Sequence, residues 1–204
     1  MAFKFVAFWL CAICIVFFIL QIILPGFTEV LLLTSGSWSQ PWRFLTAIFL
    51  HGDLTHLIYN MFALALFGSI LESLIGSRKF LILFFVTGIF ANIVAVNFYP
   101  SSLGASGAIF GVIGSLIIVL PSLIVWAFGL PMPIFIAGIL WAVGDVIGTF
   151  NPSSNVGTIA HLAGMGFGLL FGVFYRNWSK RSYHREKMNI DEIAIRNWED
   201  KHLR

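Results

Sequence analysis

Six apolar runs, at about 5–24, 54–74, 80–98, 106–121, 132–149 and 159–176, occupy most of this chain. Crossing ~30 Å of hydrocarbon takes about 20 apolar residues in a helix, and each run is read as a span of that kind. The run at 106–121 is the short one, and 121–131 (PSLIVWAFGLP) reads as an apolar connector broken by Pro121, Gly129 and Pro131. Composition agrees, with 10% of residues charged and a mean hydropathy of +0.93, where a soluble domain carries about a quarter charged. The expected fold is an all-α, polytopic six-helix membrane protein. One compact membrane domain is expected over 1–176, followed by a basic cytoplasmic tail over 177–204.

Eight of the twelve Lys and Arg residues lie from Arg176 onward, within a net charge of +3. That pattern fits a solvated positive-inside signal and gives no reason to expect a nucleic-acid partner. If six helices alternate, Lys4, Arg78-Lys79 and the Arg176–Lys187 cluster share one side, and Arg43 alone falls on the other. Both termini are then cytoplasmic, in a multi-pass cell-membrane protein, and helices two, four and six start on the outer side. The first run is too long for a typical signal-peptide core, and Leu24-Pro25-Gly26-Phe27 lacks a small-x-small cleavage pattern, so it is read as a retained helix. No soluble domain is expected ahead of it, nor regulation by one. The connection at 25–53 carries Trp38, Trp42 and Arg43 and is expected partly in the outer headgroup layer. In the tail, Ile190, Ile193, Ala194 and Trp198 have roughly helical spacing, which fits either a surface-lying helix or a disordered segment. Cys11 and Cys14 sit three apart inside the first run and read as small apolar-facing residues, not a redox pair.

Polar groups inside a bilayer are costly and call for a functional explanation. His51, His56 and Asn60 cluster around the start of helix two, Ser106 opens helix four, and His161 opens helix six. Alternation puts all of them at one outer depth. Ser106 lies in Gly104-Ala105-Ser106-Gly107, where a glycine turn runs into a helix start. Such a turn admits close approach of a carbonyl and leaves backbone N–H groups for a developing oxyanion. A serine hydroxyl needs a base to become nucleophilic. His161 has Gly164, Gly168 and Gly172 on its own side, and helix four carries Gly107, Gly111 and Gly114. Facing stripes of small residues let membrane helices pack closely, which would bring the imidazole within reach of Ser106. Phe110, one turn after Ser106, could support that ring. His56 and Asn60 share one face of helix two as candidate oxyanion donors. His51, in the preceding loop, reads as a loop-holding hydrogen-bonder.

Zinc would want three or four ligands. His51 and His56 are five apart and there is no HExxH, so no metal and no cofactor is expected. Asp145 is the lone Asp within a span, which gives no pair for an aspartate protease. It is expected to make a structural hydrogen bond near the outer end of helix five. Glu72, in Gly68-x3-Glu72-x3-Gly76, reads as a helix-packing anchor.

With these residues assembled, the chain resembles the rhomboid family of intramembrane serine proteases, from helix one to about Tyr175. The motifs that carry the likeness are Trp42-Arg43, His51…His56-x3-Asn60, Gly68-x3-Glu72-x3-Gly76, Gly104-x-Ser106-Gly107-x3-Gly111 and Ala160-His161-x2-Gly164-x3-Gly168. The resemblance implies a six-helix rhomboid-like bundle with a Ser106–His161 dyad, not a triad, in a water-filled cavity open to the outer side. It implies an oxyanion site made of His56, Asn60 and the Ser106 N–H, with His51, Gly104, Gly107 and Phe110 in support. The implied substrates are single-pass transmembrane proteins cut near the outer leaflet, reaching the site laterally past helix five and residues 149–158. Oligomeric state is left open. A non-catalytic rhomboid-like client-binding protein is the alternative, and a small polar-lined channel or transporter is disfavoured by few charges in the spans and no inverted repeat of broken helices.

Overall fold

A computed structural model describes residues 5–150 and 157–176, with the isolated positions 195 and 201. Lys4, the Pro152–Ser154 part of the expected access loop and the helically spaced residues of the tail lie outside the described residues. Six helices follow the six runs: α1 Val6–Ile23, α2 Leu54–Ile75, α3 Ser77–Ala95, α4 Ser106–Val119, α5 Ile134–Thr149 and α6 Thr158–Arg176. Four of these are 18 to 22 residues long, enough to cross a bilayer. The other two are short, and α4 at 14 residues rises only about 21 Å. That short helix is the centre of the bundle, with Ala108, Val112 and Leu116 all but inaccessible.

Glycines explain how α4 can be surrounded so tightly. A Cβ on Gly107 would lie 2.6 Å from that of Ala91 on α3, and one on Gly111 would collide with Thr87. On the other flank, Gly164 and Gly168 of α6 lie directly over the carbonyls of Gly107 and Gly111. Ser115 Oγ donates to Gly168 O at 2.7 Å, a polar link between helices that meet without large side chains. The two glycine stripes of the sequence do meet.

Three local features depart from the sequence reading. Helix α3 starts at Ser77, three residues before the expected 80, because Gly76 (φ +84°) breaks the chain directly after α2. It ends at Ala95 and not 98, where the Asn97 amide donates to Ile93 O at 2.8 Å and satisfies a terminal carbonyl. The apolar connector expected at 121–131 holds an antiparallel hairpin, β3 Ile124–Ala127 with β4 Leu130–Pro133, whose second strand runs past it, so that α5 starts at Ile134 and not 132; a second, two-residue pairing joins β1 Leu33–Thr34 to β2 Ser101–Ser102. The β3–β4 turn, Phe128-Gly129, has φ of 53° and 78°, the two positive values of a type I′ two-residue hairpin. Below the end of a short α4, pairing strands is how an apolar stretch satisfies its own backbone. Third, α2 widens to a π-turn over Leu64–Gly68, where Ala7 and Phe80 come within 3.1 and 3.2 Å of a Cβ built on Gly68.

Glu72 anchors the bundle's other end. Its carboxylate accepts from the N–H groups of Val6 at 2.9 Å and Ala7 at 3.0 Å, and from Ser77 Oγ at 2.5 Å. It therefore caps the first turn of α1 from α2, supplying acceptors and negative charge where a helix start needs both. Glu72→Ala leaves the buried Ala7 N–H without a partner, at about 1–3 kcal/mol, and removes the acceptor of the half-buried Val6 N–H and Ser77 hydroxyl. Thermal unfolding in detergent should show a clear loss of Tm for Glu72→Ala and a smaller one for Glu72→Gln, which keeps an acceptor.

The long connection at 25–53 is ordered around Arg43. Its guanidinium donates to Glu29 O (2.7 Å) and Leu32 O (2.5 Å) and to the Gln40 side chain. Asn92 on α3 donates to Phe44 O at 2.8 Å, and Thr46 Oγ1 to Leu31 O at 2.9 Å. A planar fork with several donors suits this gathering of carbonyls, which a lysine could not reproduce. The loop is thereby a fixed wall beside the start of α2.

Candidate active site

The starts of α2, α4 and α6 converge. Asp53 caps α2, its carboxylate accepting from the His56 backbone at 2.8 Å. This places the His56 ring beside the Gly104 turn, where a Cβ would come within 2.8 Å of His56 Cε1 and 3.0 Å of Nε2. Gly104 has φ +125°, so both space and backbone conformation require glycine there. Its N–H donates to Ala47 O at 2.9 Å, tying the turn to the 25–53 wall.

Ser106 is half-buried as the first residue of α4, so its N–H is among those a helix leaves without an internal partner. The His56 ring accepts from Gly52 N–H through Nδ1, at 3.5 Å. That contact favours the tautomer with the proton on Nε2, the nitrogen facing the turn. Asn60 is buried, and its Nδ2 donates to His56 O at 2.9 Å. One amide N–H is thus held by its own helix, and the other remains for a ligand.

The candidate base, His161, is 8% exposed, and its ring lies flat on Phe110, centroids 4.3 Å apart and planes 3° from parallel. Its Nδ1 faces Asp145 Oδ1 at 3.2 Å. No hydrogen bond joins Ser106 Oγ to the ring among the described residues, an open geometry common where the substrate-bound state tightens the contact. The expected stacking on Phe110 is present. Asp145 does make a side-chain hydrogen bond, and its partner is His161 on α6; the C-terminal end of α5 is held by other groups. Thr149 Oγ1 donates to Asp145 O at 2.8 Å and lies 3.0 Å from Thr158 Oγ1. Tyr99 OH lies 3.4 Å from Thr158 Oγ1 and accepts from Ile159 N–H at 3.0 Å.

His51 is 1% exposed and meets the His56 ring edge-on at 5.2 Å. The expected loop-holding hydrogen bond of its side chain is not found, since neither ring nitrogen has a partner among the described residues; instead its backbone is clamped by Gln21 of α1, whose Oε1 accepts from His51 N at 3.0 Å and whose Nε2 donates to His51 O at 3.1 Å. Burial, and next the neighbouring His56, push the His51 pKa down from 6.5 to about 4, against opposing pulls from the Phe49 backbone and Asp53. The unfolded chain therefore takes up a proton that the native protein refuses as pH falls from 6.5 towards 4, so stability declines with falling pH across that window. A Tm-against-pH series should fall less steeply there for His51→Gln than for the wild type. Gln21 carries no weight in the spacing of the motifs, although a lone amide in an apolar run is a signal of its own. No group of three or more His, Cys, Asp or Glu suited to a metal occurs among the described residues.

Residues 38–178 match the family model described as Rhomboid domain. The chain belongs to the rhomboid family. Among its relatives, "Rhomboid protease GluP" of Bacillus subtilis (strain 168) is 43% identical over 96 residues, covering 46% of this rhomboid and 18% of that protein. "Putative rhomboid protease YdcA" of the same organism is 40% identical over 83 residues, 39% of this chain and 40% of the other. "RHOMBOID-like protein 1" of Arabidopsis thaliana is 30% identical over 171 residues, 80% of this chain and 42% of the other. The matched stretches thus span less than half the length of each of these relatives. The rhomboid match starts inside the 25–53 connection and covers α2 to α6, so every candidate site residue falls within it.

Proposed function

We propose that this rhomboid is an intramembrane serine endopeptidase in which Ser106 is the nucleophile and His161 the general base. The observation that carries the reading is the crossing of α4 and α6, with Gly164 over the Gly107 carbonyl and the His161 ring stacked on Phe110, one turn from Ser106. His161 Nε2 takes the Ser106 proton as Oγ bonds to the scissile carbonyl carbon, and the carbonyl π pair moves onto oxygen. The Ser106 N–H, His56 Nε2–H and the remaining Asn60 N–H receive that oxyanion. Collapse breaks the C–N bond, the leaving amine takes the proton from His161, and water then releases the acyl group by the reverse relay. Every donor is neutral or becomes charged only transiently, which suits a site walled by apolar helices.

The domain is assigned to 1–176 with a basic tail after it, in a cell membrane with both termini cytoplasmic, so that the starts of α2, α4 and α6 open outward. Substrates are single-pass membrane proteins, cut near the outer leaflet after lateral approach past α5. "Protease" in the names of two of the relatives supports the activity. The test is cleavage of a single-pass substrate in proteoliposomes, by wild type and by Ser106→Ala. Cleavage by the first and not the second is expected. Capture of the substrate without cleavage by the wild type would favour the client-binding alternative.

A further inference from the structure

We propose that Asp145 is a positioning residue for His161, holding the ring by Nδ1 so that Nε2 is the nitrogen left to take the serine proton. This rests on the Ser106–His161 reading above and extends it from two helices to three. An imidazole has two chemically distinct nitrogens, and the hydrogen bond made by one decides what the other can do. The Nδ1–Oδ1 distance of 3.2 Å comes with side chains only 11% and 12% exposed, so water competes little for either atom. Stacking on Phe110 fixes the plane of the ring but leaves open which edge faces Ser106. The carboxylate settles that: Nδ1–H donates to Asp145, and Nε2, on the other edge, carries the lone pair.

The alternative role for Asp145, a bond closing the end of α5, is already filled. Thr149 bonds the backbone carbonyl of Asp145, not its carboxylate, and Oδ2 has no hydrogen-bond partner among the described residues. The groups that bear on His161 from the packed elements are His56 on α2, Phe110 on α4 and Asp145 on α5. Asp145 is the acidic one among them. It stabilises the imidazolium that forms when Ser106 gives up its proton, and Phe110 supplies no such charge. Asp145 and His161 sit on different helices, so the seating of α5 against α6 sets the orientation of the base. The Tyr99–Thr158–Thr149 hydroxyl chain maintains that seating. The single hydroxyl proton of Thr149 goes to Asp145 O, so Thr158 donates to Thr149 and Tyr99 to Thr158.

The test has two arms. In ¹⁵N-histidine NMR of the wild-type protein in detergent, with His161 assigned by loss of its signal in His161→Ala, the Nδ1–H tautomer is expected, and an Nε2–H tautomer overturns the proposal. In cleavage kinetics, Asp145→Asn should lower kcat by at least about 10-fold, and by up to about the 10⁴-fold seen when the aspartate that orients a serine protease's histidine is amidated, with KM unchanged. Asp145→Glu should recover part of it. An Asp145→Asn protein of wild-type Tm that keeps kcat within about twofold, together with an unaltered His161 tautomer, also overturns it. Should Asp145→Asn fail to fold, the wild-type spectrum alone decides. Cleavage that survives Ser106→Ala defeats the dyad reading instead, so the two failures are distinct.

Discussion

Replacing Ser106 with alanine is expected to reduce cleavage of a reconstituted membrane substrate by on the order of 10⁴–10⁶-fold, the scale seen when the nucleophile of a serine protease is removed. Stability should hardly change. Ser106 is half-buried at a helix start, none of the hydrogen bonds among the described side chains involves its hydroxyl, and Oγ is the one atom lost. The expected signature is therefore a chain of unaltered Tm that still binds substrate and does not cut it. His161→Ala should match it in kcat, because nucleophile and base act as one unit and their losses do not add. A double variant no worse than either single one is the check on that coupling.

The second large effect is structural. Gly164→Leu is expected to destabilise by about 3 kcal/mol or more, at or above the upper end of ordinary overpacking. A Cβ at Gly164 would fall on the Gly107 carbonyl, which is backbone and cannot swing aside, and one at Gly168 would fall on the Gly111 carbonyl. The helices would have to part, and His161 would move away from Ser106 with them. Gly164→Ala tests the same contact with the smallest possible side chain. Gly166, two residues on, has nothing within 4 Å of an added Cβ, so Gly166→Ala should be tolerated. Thermal unfolding in detergent and activity measured on the same three variants separate the contact from general helix effects. Equal behaviour of the residue 164 and residue 166 alanine variants would mean that the close crossing is not needed.

Helix number, order and most boundaries are legible in the chain because lipid imposes a length and an apolar composition that few other folds need. The polar cluster is legible for the same reason: His56, Asn60, Ser106 and His161 stand out against apolar surroundings at a depth that alternation predicts. Other features depend on rotation and packing, which spacing does not encode. Asp145 meets His161 only because α5 turns that face towards α6, across a separation of 16 residues. Phe128 adopts φ 53° in a turn whose residues are not the usual Asn-Gly or Asp-Gly, so composition hides the hairpin. The widened turn at Leu64–Gly68 reflects what α1 and α3 press against α2, not the local sequence. Gln21 is visible as a polar residue in an apolar run, yet only the fold shows that it clamps the backbone of His51.

The central claim is that Ser106 is an activated nucleophile. Reaction of the purified protein with a fluorophosphonate, followed by peptide mapping, measures this without needing the physiological substrate. Covalent attachment at Ser106 is predicted, absent in Ser106→Ala and slowed by orders of magnitude in His161→Ala. A wild-type chain with a normal unfolding transition that fails to react, or reacts at another residue while Ser106 stays unmodified, would contradict it.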